Sequence, residues 1–228
     1  MKMESISRWI CLAALAALTG CSSLDQHGPS AAVELFNGRN LDGWGHVLAD
    51  AAVPRGQVWS VRDGILVCQG DPLGFLYTDR LFENFRLQVE YRWAPGAQPG
   101  NSGLFSRIQE YNRPLPRCIE VQLKRGSAGD VLGLQGVPVA ASQPRYFHVA
   151  AHPVAGEIHG VGKLADAEAP AGEWNRVEIL AQDSRYTVWI NGQQVNDVTG
   201  VAEAPGPIGL QSEGGEIHFR RVAVTPLP

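Results

Sequence analysis

Short segments in which apolar and polar residues alternate constrain this chain more than any other feature of its sequence. Phe85, Leu87, Val89, Tyr91 and Trp93 alternate with Arg86, Gln88, Glu90 and Arg92. A period of two sends successive side chains to opposite faces of an extended strand, so one face can enter a core while the other stays polar. Ile119, Val121 and Leu123 likewise oppose Glu120, Gln122 and Lys124. The same reading predicts strands at Trp59 to Val67, Gly103 to Ile108, Arg176 to Ala181, Tyr186 to Ile190, Ile208 to Gln211 and Ile217 to Val224. No segment sustains the period of roughly 3.6 residues that an independent helix needs.

Turn chemistry separates these runs. The chain has 26 glycines and 15 prolines, dispersed enough to punctuate many short strands. Asn191-Gly192 stands between Tyr186 to Ile190 and Gln194-Val195. Both turn residues tolerate positive φ, which a type I′ hairpin requires. The prediction is an all-β fold, a jelly-roll sandwich of two antiparallel sheets. Two stretches read as irregular, Pro95 to Asn101 and Gly126 to Gly172, the second holding His148, His152 and His159. Long loops in compact domains commonly carry function. His148, His152, His159 and His218 match no recognisable ligand spacing, and His148 is singled out by its place in the long loop.

The amino terminus reads differently. Lys2 and Arg8 precede an apolar run from Trp9 to Leu18, the charged and apolar regions of an export signal. The run is shorter than the roughly 20 apolar residues of a spanning helix. Leu18-Thr19-Gly20-Cys21 resembles the bacterial lipobox, which implies cleavage before Cys21 and lipidation of its thiol. Ser22 follows, where an aspartate would suggest inner-membrane retention, so the expected address is the cell envelope, at the outer membrane. Residues 1–20 are then signal, 21–32 the lipidated Cys21 with a flexible polar tether, and 33–228 one domain. Membrane contact is expected through the lipid alone.

The formal net charge is −4. With no basic block in the chain, nucleic acid is not an expected partner, and a neutral ligand is. Cys11 leaves with the signal, so Cys68 and Cys118 remain. An oxidising envelope would permit their pairing, whereas their apolar surroundings equally suit free buried thiols.

Several segments together resemble the 3-keto-disaccharide hydrolase domain family. They are Leu35-Phe36-Asn37-Gly38 with Leu41 and Trp44, Trp59-Ser60-Val61 with Asp63-Gly64, Phe85 to Trp93, and Asn101-Ser102-Gly103-Leu104-Phe105-Ser106-Arg107. Ile119-Glu120-Val121-Gln122, Gly172-Glu173-Trp174-Asn175, Ile190-Asn191-Gly192, Gly209-Leu210-Gln211-Ser212-Glu213-Gly214 and Phe219-Arg220-Arg221-Val222 complete the ordered set. The resemblance implies a concanavalin A-like jelly roll. It also implies a saccharide substrate whose C3 hydroxyl an upstream sugar-oxidising enzyme has already turned into a ketone.

Strand geometry groups the candidate site residues. Glu120 and Gln122 share a face, as do Gln211 and Glu213, Phe105 and Arg107, and Glu90 and Arg92. If those strands neighbour one another, they form a floor of carboxylates, amides and guanidinium groups that suits a hydroxyl-rich ligand. The expected catalytic residues are Glu120 as base, Glu213 as second candidate, and Arg107 to stabilise developing negative charge; the alternative expectation is a non-catalytic carbohydrate-binding module, since fold does not fix activity. Gln122, Gln211, Asn101, Glu90, Arg92, Trp174 and His148 are expected to bind substrate, and a divalent cation would be a plausible helper at such oxygens. Cys21→Ser is expected to move the protein from the membrane to the soluble fraction, as read by fractionation and by loss of fatty-acid labelling.

Overall fold

The computed structural model describes residues 31–141 and 144–228. The signal-like segment, Cys21 and the tether as far as residue 30 lie outside the described residues. In chain order the strands are β1 (Val33–Glu34), β2 (Trp44–Leu48), β3 (Trp59–Arg62), β4 (Ile65–Cys68), β5 (Gly74–Thr78), β6 (Phe85–Trp93), β7 (Gly103–Ser106) and β8 (Ile119–Gln122). They continue with β9 (Val131–Gly133), β10 (Tyr146–His152), β11 (Gly156–Val161), β12 (Asn175–Gln182), β13 (Arg185–Ile190), β14 (Gln193–Val198), β15 (Gly209–Ser212) and β16 (Ile217–Pro226). A single helical turn, α1 (Arg55–Val58), precedes β3.

Two antiparallel sheets result. The first runs β14-β13-β12-β6-β16-β4-β3 with β1 added to β16, and the second runs β10-β11-β9-β8-β7-β15-β5-β2. This is the expected jelly-roll sandwich. Phe85, Leu87, Val89, Tyr91 and Trp93 of β6 are buried while the residues between them are half-buried. From the second sheet, Trp44, Leu76, Leu104, Ile119, Val121, Val131 and Leu210 join the same core. Each such large side chain contributes about 1.5–3 kcal/mol by leaving water. A polar tie crosses the core: the Tyr186 hydroxyl on β13 lies 3.1 Å from Ser106 Oγ on β7.

The predicted Asn191-Gly192 turn is present, with φ of 52° and 83°. The predicted strand Trp59 to Val67 is instead two strands, β3 and β4. Asp63 and Gly64 both have positive φ, 50° and 76°, and fold the run into a hairpin. The stretch Gly126 to Gly172, expected to be irregular, contains β9, β10 and β11. Six of the seven β10 residues are exposed, so this edge strand needs no apolar period. In β5 four of five residues are buried, because both of its faces are covered, and alternation vanishes for the opposite reason.

The second sheet has a further apolar cluster on the face turned away from the main core. Phe75, Phe105, Ile108, Leu115, Cys118, Leu134, Ala155 and Ile158 form it. Segment 109–118 contributes Leu115 and is tied down by Gln135, whose side-chain amide donates to Leu115 O at 3.2 Å and Val154 O at 2.9 Å. Cys68 lies in the main core and Cys118 in this outer cluster, and both thiols are free. Tyr186→Phe is expected to cost about 1 kcal/mol, since Ser106 loses its buried partner. Denaturant unfolding at unchanged slope would show it.

Candidate active site

The site begins with β8. Ile119 and Val121 face the main core, so alternation sends Glu120 and Gln122 to the other side of the sheet. On the neighbouring β7, Phe105 pairs with Glu120 and Gly103 with Gln122. A Cβ at Gly103 would lie 2.2 Å from Glu120 Oε1, so glycine there leaves room for the carboxyl group. β15 pairs with β7 on its other side and brings in Gln211. The loop before β7 meets the turn after β15 at backbone distance: a Cβ on Gly100 would stand 1.8 Å from Gly214 O. Asn101 N–H donates to Gly214 O at 2.9 Å, which holds Asn101 beside Glu213.

These residues enclose a cleft of about 230 Å³. Asn101, Glu120, Gln122, Lys124, His152, Gln211 and Glu213 supply its polar lining, and Leu132, Leu134 and Ile158 are among its apolar walls. Gln122 Oε1 accepts backbone N–H groups from Leu123 at 3.0 Å and Lys124 at 2.9 Å, which leaves its NH₂ group for a ligand. Gln211 Nε2 donates to Glu213 Oε2 at 2.6 Å. Among the described residues, four buried side-chain polar atoms have no partner, and three of them, Asn101 Oδ1, Glu120 Oε1 and Gln211 Oε1, line this cleft. Buried polar atoms are ordinarily satisfied, so this concentration marks a place built to receive hydrogen-bonding groups.

Electrostatics points to the same place. Burial, and secondarily the charge of Glu213, pushes Glu120 up to about 8. Burial also raises Glu213, opposed by a hydrogen bond from Asn101 and by the charges of His152 and Lys124. Two carboxyls displaced upward in one cleft are a functional-site signature. A roomier depression of about 440 Å³ lies on the first sheet around Gln182, Asp183, Arg185 and Thr187. It contains none of the unpartnered buried atoms, and Arg185 there is engaged by Asp197.

Five of the expected site residues therefore converge: Glu120, Glu213, Gln122, Gln211 and Asn101. Others do not. Arg107 follows the end of β7 with φ of 52°, which breaks the alternation that would have kept it beside Phe105. Its buried guanidinium donates to the carbonyls of Glu83, Ala202 and Asp183 and is a structural clamp away from the cleft. Glu90 and Arg92 lie on β6, in the other sheet. Arg92 and Arg220 stand 4.6 and 4.4 Å from the Trp174 ring, and Glu90 pairs with Arg220. Trp174 thus belongs to a cation–π patch and not to the cleft. His148 is exposed on β10, against Glu157.

The residues missed from sequence are Lys124, His152 and the apolar walls. His152 Nδ1 accepts Ala155 N–H at 3.0 Å, a local turn that carries the imidazole to the cleft. Lys124 continues the Glu120, Gln122 alternation and was open to the same reasoning. Among the described residues, the one group of three His, Cys, Asp or Glu side chains whose ligand atoms all lie within 4.8 Å of one another is His148, Glu157 and His159. None of these lines the cleft.

A family profile described as a 3-keto-alpha-glucoside-1,2-lyase-like domain matches residues 31–225. Among curated proteins, none matches the sequence. A provisionally assigned glycosyl hydrolase from Parabacteroides distasonis is similar in structure, with TM-score 0.62 and 20% identity over 86% of this chain and 94% of that one. A carbohydrate-binding module from Bacillus subtilis gives TM-score 0.58 and 12% identity over 80% and 95% of the two chains. A β-glucanase from Bacillus licheniformis gives 0.55 and 15% over 89% and 100%. At these identities the likeness is one of fold, and it agrees with the two-sheet jelly roll.

The raised Glu120 carboxyl has a consequence for stability. Between its ordinary value of 4.5 and about 8 the unfolded chain is ionised there while the folded chain keeps the proton. The folded state then binds more protons, so stability falls as pH rises through that window and levels off above it. Glu120→Gln is expected to flatten this slope in denaturant titrations at stepped pH.

Proposed function

The chain belongs to the 3-keto-alpha-glucoside-1,2-lyase-like family, a carbohydrate-active family, and on that premise we propose that it cleaves 3-keto glycosides at the Glu120 cleft. The observation that carries this reading is the buried, unpartnered Glu120 carboxyl, raised to about 8 beside Glu213. A ketone at C3 acidifies the proton on C2, so a single carboxylate near neutrality suffices as base. The cleft volume of about 230 Å³ is below the roughly 300–1,000 Å³ of drug-sized pockets, which suits one sugar unit.

In the proposed reaction, ionised Glu120 takes the C2 proton and the C2–H electron pair delocalises onto the C3 oxygen. The enolate re-forms the ketone and expels the C1 alkoxide, which takes up a proton as the aglycone leaves. Water then adds across the new C1–C2 double bond, hydroxyl to C1 and proton to C2, giving net hydrolysis with no oxidant consumed. The Gln122 amide and Lys124 ammonium face the cleft and replace Arg107 as groups able to stabilise the enolate oxygen. Gln211 Oε1 and Asn101 Oδ1, unpartnered and buried, offer acceptors to substrate hydroxyls. An ordinary retaining glycosidase uses two carboxylates. Along β8 and its continuation the residues are Glu120-Val121-Gln122-Leu123-Lys124, with no second acid on that strand, so a retaining mechanism would need Glu120 and Glu213 paired across strands. The lipobox at Cys21 would hold this cleft at the envelope, downstream of the enzyme that makes the ketone.

Release of nitrophenol from a nitrophenyl 3-keto-glucoside tests the reading. The parent protein is expected to turn over and Glu120→Gln to lose at least about 100-fold, the usual scale of general-base catalysis. As Glu120 must be ionised, kcat/KM should rise with pH and level off above about 8. Glu213→Gln removes a charge that raises Glu120, so the midpoint of any remaining activity should move to lower pH. Tight glycan binding with no turnover of keto or ordinary glycosides would overturn the proposal in favour of a binding module.

A further inference from the structure

β10 is the outermost strand of the second sheet and pairs with β11 alone. In that pairing His148 stands directly opposite His159, and Glu157, two residues before His159, shares its face. The two imidazoles stack with centroids 4.9 Å apart and planes at 22°. Glu157 Oε1 lies 2.9 Å from His148 Nε2 and 3.4 Å from His159 Nε2. A tetrahedral ion with bonds of about 2.0–2.2 Å to such atoms spaces them by roughly 3.3–3.6 Å, so small side-chain shifts close the set. Tyr146 hydroxyl is 2.8 Å from His159 Nδ1. With Nδ1–H donating to that oxygen, the Nε2 lone pair is free and aimed at the cluster, which is how an outer hydrogen bond sets the tautomer of a metal-bound histidine.

We propose that His148, His159 and Glu157 bind one divalent transition-metal ion of the zinc class, with solvent at its remaining position. Two imidazoles and a carboxylate suit such an ion, whereas magnesium and calcium favour all-oxygen sets. The ion would fasten the edge strand to its neighbour. Ile158, between two of the ligands, points the other way into the cleft, and His152 and Ala155 at the hairpin tip also line it. The metal therefore sits on the back of one cleft wall, and the inference is independent of the chemistry proposed for Glu120.

Calorimetric titration of the tag-free protein with Zn²⁺, with Mg²⁺ as control, tests this. One saturable equivalent of Zn²⁺ and none of Mg²⁺ are expected. His148→Gln and His159→Gln should each weaken binding by tenfold or more, and Tyr146→Phe by about tenfold, the lower end of outer-shell effects. His152→Gln, at the cleft, should leave it unchanged. Zn²⁺ should also slow hydrogen exchange of the β10 amides in the parent and not in the double histidine variant. Absence of saturable Zn²⁺ binding, undiminished binding by the His148→Gln, His159→Gln double variant, or loss of binding in His152→Gln would overturn the proposal.

Discussion

The inward faces of β6 and β8 bury into the space between the two sheets, and this burial sets the register of every polar side chain on their outer sides. A slip of one residue along β8 would carry Ile119 and Val121 to the outside and pull Glu120 and Gln122 into the core. The cost is prohibitive in both directions, since apolar area would be lost to water and a carboxyl group stranded among Val131, Leu104 and Leu210. The cleft inherits its geometry from a core it does not touch.

That inheritance explains how a carboxyl can be held without a hydrogen-bond partner on Glu120 Oε1. Desolvation is offset by keeping the proton, so the group resides in the fold as a neutral acid near physiological pH instead of as an unpaired charge. Glu213, although also raised, is engaged by Gln211 and Asn101. The two acids thereby acquire different environments from neighbouring strands, which is the usual route to different proton-transfer roles in one site. Cys118, buried on the same side of β8 and pushed up by burial and by Glu120, is an inert packing group.

Most strands were legible as alternation because one of their faces meets the core and the other water. Where both faces are covered, as in β5, or neither is, as in β10, the signal disappears. The same limit governed the site. Glu120, Gln122 and Gln211 follow strand alternation and converge on one cleft. Arg107 broke the rule through one positive φ at the end of its strand, and its donors went to three main-chain carbonyls. Glu90 and Arg92 kept the alternation but sit on the other sheet, which no local pattern reveals.

The sequence by itself determined the fold class, the strands with one wet face, the turn at Asn191-Gly192 and the family resemblance, because these follow from local periodicity and short ordered motifs. Tertiary structure decided which strands are neighbours. It set Glu120 beside the β15 turn and its Glu213, put Trp174 against two guanidinium groups of the opposite sheet, and paired His148 with His159 across a hairpin whose histidine spacing carries no recognisable ligand pattern. The physical reason is that alternation assigns a side chain to a face of its own strand, whereas convergence on a site depends on sheet order and register, which only long-range packing settles.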